Sequence, residues 1–257
     1  MRVTVLGCGA SVGVPVLGND WGRCNPDDPR NRRRRCSILV ENQGSVLLID
    51  TSPDMREQLL AADVRRIDAV LYTHGHADHT HGVDDLRALS WHMRQPIDVH
   101  ADTATLTMLH QRFGYMFSAS PDSPPHFRPP LVAHEIGDDP FELAGMTIRP
   151  IRQDHGSSGT SLGFLFEDRF AYSTDVAAMT EDDLARLRGL DLWIVDCLRE
   201  EPSAAHANLA LALSWIRTAQ PGQAYLTHMG ADLDYEWVAA RCPEGVAPAH
   251  DGLVLEV

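Results

Sequence analysis

Apolar residues fall along this chain in short runs separated by turn-forming residues. Runs of strand length lie at 2–6, 37–41, 45–50, 67–72, 96–100, 146–151, 162–167, 169–173, 191–196, 223–227 and 252–256. Many of their residues are β-branched or aromatic, which suits a pleated, half-buried surface. Two pairs read as hairpins: 37–41 with 45–50 across Asn42-Gln43-Gly44, and 162–167 with 169–173 across Glu167-Asp168. Segments 54–62, 83–94, 102–113, 181–188, 206–219 and 233–241 read as helices. In 206–219, Leu209, Leu213 and Ile216, with Ala212 and Trp215, recur at helical spacing. Asp54, Thr180 and Asp232 stand where N-caps are expected. Strands interleaved with helices predict a layered α/β architecture. No repeat and no composition shift is visible, so residues 1–257 are expected to form a single domain. The stretch 118–130 is structure-poor, because its five prolines oppose regular pairing.

The chemistry concentrates at the ends of these runs. After Ile67–Tyr72 comes Thr73-His74-Gly75-His76-Ala77-Asp78-His79, three imidazoles and a carboxylate in one turn of chain. Such side chains ligate zinc, manganese or iron. Other runs end on Asp50, Asp175 and His228, and His155 follows 146–151. Strand C-termini are where α/β proteins gather their sites. Ligands shared between two ions would make a two-metal hydrolase centre.

His74-x-His76-x-Asp78-His79, followed by His155, Asp175 and His228, resembles the metallo-β-lactamase-fold hydrolases over essentially the whole chain. The resemblance implies an αββα four-layer sandwich: two mixed β-sheets face to face, flanked by helices, with two divalent metals at one edge. Zinc or manganese is implied, with iron open. By position, His74, His76 and His155 would hold the first ion, and Asp78, His79 and His228 the second. Asp175 would bridge them together with a water. True lactamases of the family usually carry Cys at the Asp175 position, and the oxygen-reducing di-iron relatives place Glu at the His76 position. Both comparisons point toward phosphodiester chemistry, in which Asp78 joins the catalytic centre.

The loop Gly7-Cys8-Gly9-Ala10-Ser11-Val12-Gly13 is similar to that of the phosphodiesterase branch, which includes tRNase Z and the phosphoribosyl cyclic phosphodiesterase of phosphonate breakdown. Asn31–Ser37, Asp196-Cys197, His206 and Ala249-His250-Asp251-Gly252 resemble the latter. The resemblance implies His206, at a helix start, as proton donor to the leaving group. That enzyme also holds a structural zinc with a Cys cluster and a late His. Here only Cys24 stands in the matching stretch, and Ala231 replaces the late His. A sister group without the structural zinc is expected.

Beyond the ligand set, Asp50 is expected behind a ligand imidazole. Arg35, in the run Arg32–Arg35, and His250 are candidate substrate contacts, with a solvated charge run or a structural role as alternatives. The 118–130 stretch is either a surface loop or an active-site flap bearing His126 and Phe127.

Net charge is −14 and five cysteines form no C-x-x-C pair. A general electrostatic grip on long nucleic acid is not expected, and neither is a disulfide scaffold or zinc ribbon. The opening residues read as a strand with no charged-then-apolar signal, so no leader is expected, and no run is long enough to cross a membrane. A cytoplasmic enzyme acting on a small phosphodiester or nucleotide fits these numbers best, with no membrane partner. A tRNase Z-like nuclease and a lactone or thioester hydrolase are the alternatives. Oligomeric state is not readable; a homodimer is the assembly considered.

Overall fold

A computed structural model describes residues 1–119 and 128–257. Most of the expected flap, including His126 and Phe127, lies outside the described residues. Among the described residues, fourteen strands form in chain order. They are β1 Arg2–Gly7, β2 Ser37–Asn42, β3 Ser45–Ile49, β4 Ala69–Leu71, β5 Ile97–Ala101, β6 Leu131–Glu135 and β7 Phe141–Leu143. Then come β8 Met146–Asp154, β9 Thr160–Phe166, β10 Phe170–Ser173, β11 Leu192–Asp196, β12 Gln223–Thr227, β13 Val246–Pro248 and β14 Val254–Glu256. The α-helices are α1 Met55–Ala61, α2 Ala77–Thr80, α3 Leu86–Met93, α4 Thr103–Phe113, α5 Glu181–Arg186, α6 Leu209–Ala219 and α7 Tyr235–Ala239.

The strands make two mixed seven-stranded sheets, ordered β14-β1-β2-β3-β4-β5-β6 and β13-β12-β11-β10-β9-β8-β7. Alternation along the strands explains the layering. Ile38, Val40, Leu47 and Ile49 face the second sheet and pack in one core with Ile148 and Phe164. Leu39 and Leu48, one residue out of phase, face the opposite way and pack with Met55, Leu59, Leu86 and Leu109 from α1, α3 and α4. On the second sheet, Leu209, Ala212, Trp215 and Ile216 of α6 pack into the same core as β11. This is the αββα sandwich of the metallo-β-lactamase fold.

Both hairpins form, and Glu167 and Asp168 take φ of 52° and 50° as a two-residue primed turn requires. Three strands lacked a sequence signal: β6, β7 and β13. All three are sheet edges, where short, half-exposed strands need no apolar run, and β13 ends on Pro248. Thr180 caps α5 in a full capping box. Asp54 does not cap α1; its carboxylate instead accepts from Arg35 N and pairs with the Arg35 side chain. The cap of α7 is Asp234, not Asp232. Helix α6 starts at Leu209 under the Asn208 cap, so His206 lies in the turn before it.

Parallel pairing of β3 with β4, and of β10 with β11 and β12, sends their C-termini to common edges. Leu162 N donating to Thr73 O (2.7 Å) and Met229 N donating to Cys8 O (2.9 Å) tie the two sheets together at the site edge.

Candidate metal centre and proton-donor site

Every strand that ends on a candidate residue delivers it to this edge. Asp50 follows β3 directly, His155 follows β8, Asp175 lies two residues past β10, and His228 follows β12. Asp50, Asp175 and His228 turn off their strands with φ of 64°, 57° and 59°. The left-handed region is costly for residues with a Cβ, and such strain collects at functional sites. Here it swings three side chains away from the strand direction and inward. After β4 the chain bends at Thr73 and Gly75, His76 is extended, and α2 then presents Asp78 and His79 from a single turn.

Two quartets of ligand atoms result, each within 4.8 Å. In the first, His74 Nε2 lies 2.8 Å from His76 Nδ1, and His155 Nε2 lies 3.4 Å from His76 Nδ1. Asp175 Oδ1 stands 3.5 Å from His155 Nε2 and 3.8 Å from His74 Nε2. In the second, His79 Nε2 lies 3.3 Å from Asp78 Oδ2 and 3.1 Å from Asp175 Oδ2. His228 Nε2 is 3.5 Å from both Asp78 Oδ2 and Asp175 Oδ1. Asp175 thus belongs to both groups.

The donor set fits divalent cations. His79 Nε2 is buried with no hydrogen-bond partner among the described residues although it aims between two carboxylates, as a ligand atom should. The nitrogen–oxygen set suits zinc, manganese or iron. The far nitrogens of His79 and His155 are held as metal-ligating imidazoles require. His79 Nδ1 donates to Asp50 Oδ2 at 2.7 Å, and His155 Nδ1 donates to Ala205 O at 2.6 Å. Thr73 fixes Asp50 through its backbone N–H and hydroxyl, both at 2.8 Å, and its Oγ1 is 3.0 Å from His74 Nδ1.

Electrostatics follow from packing this many groups together. Burial alone would raise the Asp175 carboxyl, but the His228, His79 and His74 imidazoles hold it well below the usual range. Burial would lower His79 and His228; their carboxylate neighbours win, raising His79 well above its usual value and His228 to about 9. Burial, reinforced by His79, pushes His74 well down. Burial also raises Asp50, against the pull of His79.

His206 stands beside the quartets. Its Nε2 is 3.9 Å from Asp175 Oδ1, and its ring stacks on His228 with centroids 4.7 Å apart. Its Nδ1 meets Asp196 Oδ2 at 3.0 Å. Asp196, the last residue of β11, is fully buried; the sequence marks it only as part of the resembling Asp196-Cys197 pair and gives it no role. The signal existed: it ends a strand on a carboxylate, as Asp50 and Asp175 do.

The remaining candidates are engaged elsewhere. Arg35 pairs with Asp54, and His250 packs edge-on to Tyr235 with its Nδ1 on Asp251 O. Within the arginine run, Arg32 lies over Trp21, Arg33 is buried and Arg34 pairs with Asp251. The Gly7–Gly13 loop uses its first glycines for close packing. A Cβ on Gly7 would sit 2.1 Å from Arg35 O, and one on Gly9 2.8 Å from Arg33 O. Beside Cys24 stands the Arg33 guanidinium, with Nη1 4.0 Å from Sγ and 3.2 Å from Gly230 O.

A model of the Beta-lactamase superfamily domain family matches residues 46–229. A solved diphosphatase from the PhnP family is 36% identical, with a TM-score of 0.91 over 100% of this chain and 98% of that one. Zinc-bound PqqB from Methylobacterium extorquens shares the fold at a TM-score of 0.80 and 24% identity, covering 100% of both chains. An octanoyltransferase of Porphyromonas gingivalis is 33% identical over 98% of this chain, which spans only 51% of that relative's length.

Proposed function

The chain belongs to the beta-lactamase superfamily domain family, and from that premise we propose that it is a dinuclear metal-dependent phosphodiesterase acting on small cyclic phosphate or nucleotide substrates. The observation that carries this reading is the Asp196–His206 pair set beside two ligand quartets that share Asp175. A phosphodiester's alkoxide leaving group needs both charge neutralisation and a proton donor. The octanoyltransferase name is not carried over, since half of that protein lies outside the match.

His74, His76, His155 and Asp175 would hold one ion; Asp78, His79, His228 and Asp175 would hold the other. Bound there, divalent ions would neutralise phosphoryl oxygens and lower the pKa of a bound water toward neutrality. Asp50 and Ala205 O keep the His79 and His155 rings turned so that Nε2 faces the centre. Asp196 Oδ2 accepts a hydrogen bond from His206 Nδ1–H, which leaves the Nε2 proton of the imidazolium to go to the departing oxygen. Asp196 also steadies the imidazolium before transfer, and the second ring edge stays directed at the reacting side.

A small substrate is favoured over a long RNA. Net charge is −14, and Arg32 to Arg35 are each engaged within the protein. No helix among the described residues is long and apolar enough to cross a membrane. The test is a panel of cyclic nucleotides, bis-p-nitrophenyl phosphate, lactones, thioesters and RNA, run on zinc- and manganese-loaded protein. Turnover of cyclic nucleotides or the nitrophenyl diester is expected. Activity confined to lactones, thioesters or RNA overturns the reading.

A further inference from the structure

Two buried polar atoms near the site face each other with no hydrogen-bond partner among the described residues: Asp196 Oδ1 and His228 Nδ1, 3.8 Å apart. The other Asp196 oxygen is well used, accepting from His206 Nδ1 at 3.0 Å, Val176 N at 3.2 Å and Ala207 N at 3.3 Å. Those backbone bonds anchor the carboxylate from two sides. The His206 and His228 rings stack at 4.7 Å and 15°, so their Nδ1 edges both turn toward the same carboxylate. His228 Nε2 points the opposite way, into the second quartet.

We propose that Asp196 is a positioning residue shared by the second metal site and the proton donor. Oδ1 takes the Nδ1–H of His228 and Oδ2 takes that of His206. A shift of about 1 Å at His228 closes the first of these bonds to ordinary length. A buried, partnerless N–H and carboxylate oxygen each carry a desolvation penalty that this bond removes. Drawing His228 onto Asp196 fixes the tautomer whose Nε2 is free to ligate, the usual role of a carboxylate behind a metal-bound imidazole. Because the two rings stack, placing one constrains the other. A single buried carboxylate therefore sets both second-ion affinity and the position of His206.

This inference rests on the phosphodiesterase reading for its rate half only; its metal half does not. The experiment compares Asp196→Asn, His206→Ala and the double variant by zinc titration calorimetry, native mass spectrometry and turnover of bis-p-nitrophenyl phosphate and an alkyl-leaving-group diester. Asp196→Asn is expected to weaken the second zinc about 10–100-fold, while His206→Ala keeps it. On the alkyl diester, at saturating zinc, the double variant should be no slower than the slower single one. Wild-type second-zinc affinity in Asp196→Asn, or multiplicative rate losses, overturns the proposal. Should Asp196→Asn fail to fold, zinc-loaded wild type with 15N-labelled imidazoles decides. Both His206 and His228 must then carry hydrogen on Nδ1, and an Nε2-only proton on His206 overturns the proposal. If wild type cleaves no phosphodiester, the functional reading fails, while the zinc and tautomer results still judge the shared carboxylate.

Discussion

His155 Nδ1 donates to the carbonyl of Ala205 at 2.6 Å, one residue before His206. A member of the first quartet therefore holds the segment that carries His206, the proposed proton donor. Ser157 N, bonded to Ala204 O at 3.1 Å, reinforces the join. His155→Ala should lose the first ion and also loosen residues 203–207. Hydrogen exchange at Ser157 and Ala207 reads the second effect; unchanged protection there would remove the coupling.

His206→Ala should keep both ions and lose turnover by about 10²–10⁴-fold on alkyl diesters. The loss should shrink with a p-nitrophenolate leaving group, which departs without a proton. Equal losses on both substrates, measured as kcat, would remove the acid role.

Asp175 has φ of 57° and sits in both quartets. Asn tolerates that backbone better than Ala does. Asp175→Asn should fold normally yet bind less than two zinc equivalents by elemental analysis. Full retention of two ions would sink the bridging assignment.

Gly156 has φ of 59°, and a Cβ there would lie 1.9 Å from Ala204 O. Gly156→Ala must displace the 204–206 segment or itself. An activity loss of at least tenfold with ordinary far-UV circular dichroism is expected. Wild-type rates would show that the segment's position does not matter.

Asp251 supplies the pH prediction. Burial pushes its carboxyl up to about 6, against the pull of the Arg34 backbone N–H and guanidinium. A folded-state value above the unfolded one means that folding favours the protonated form. Its stabilising contribution is complete below about pH 4 and is lost as pH rises through about 6. The full swing is about 3 kcal/mol at most. Urea unfolding of wild type and Asp251→Asn should show wild type losing ground to the variant between pH 4 and 7. A constant difference across that range contradicts the shift.

Much of this architecture was legible because it is local. The buried central strands announce themselves as apolar runs, since both faces of each are covered. The His74–His79 cluster is legible because its ligands lie within one turn of a single loop. The edge strands β6, β7 and β13 were not legible, because half-exposed backbone pairing demands no apolar pattern. The fate of Arg32–Arg35 was not legible either. Their partners Trp21, Asp251 and Asp54 come from different parts of the chain, and Arg33 reaches Gly230 nearly two hundred positions away.

The sequence by itself determined the kind of site: imidazoles and carboxylates at strand ends, in an order that resembles the metal-binding hydrolases of this fold. Side-chain type and strand periodicity are properties of neighbouring residues, so one dimension suffices for them. Only the tertiary structure decided which groups meet. Parallel register brings Asp175, Asp196 and His228 to one edge, and left-handed turns at Asp50, Asp175 and His228 aim their side chains. Asp196 meets His206 only because β11 ends where the turn before α6 returns. Such meetings depend on sheet pairing and on the contact of two sheets, interactions between segments far apart in the chain.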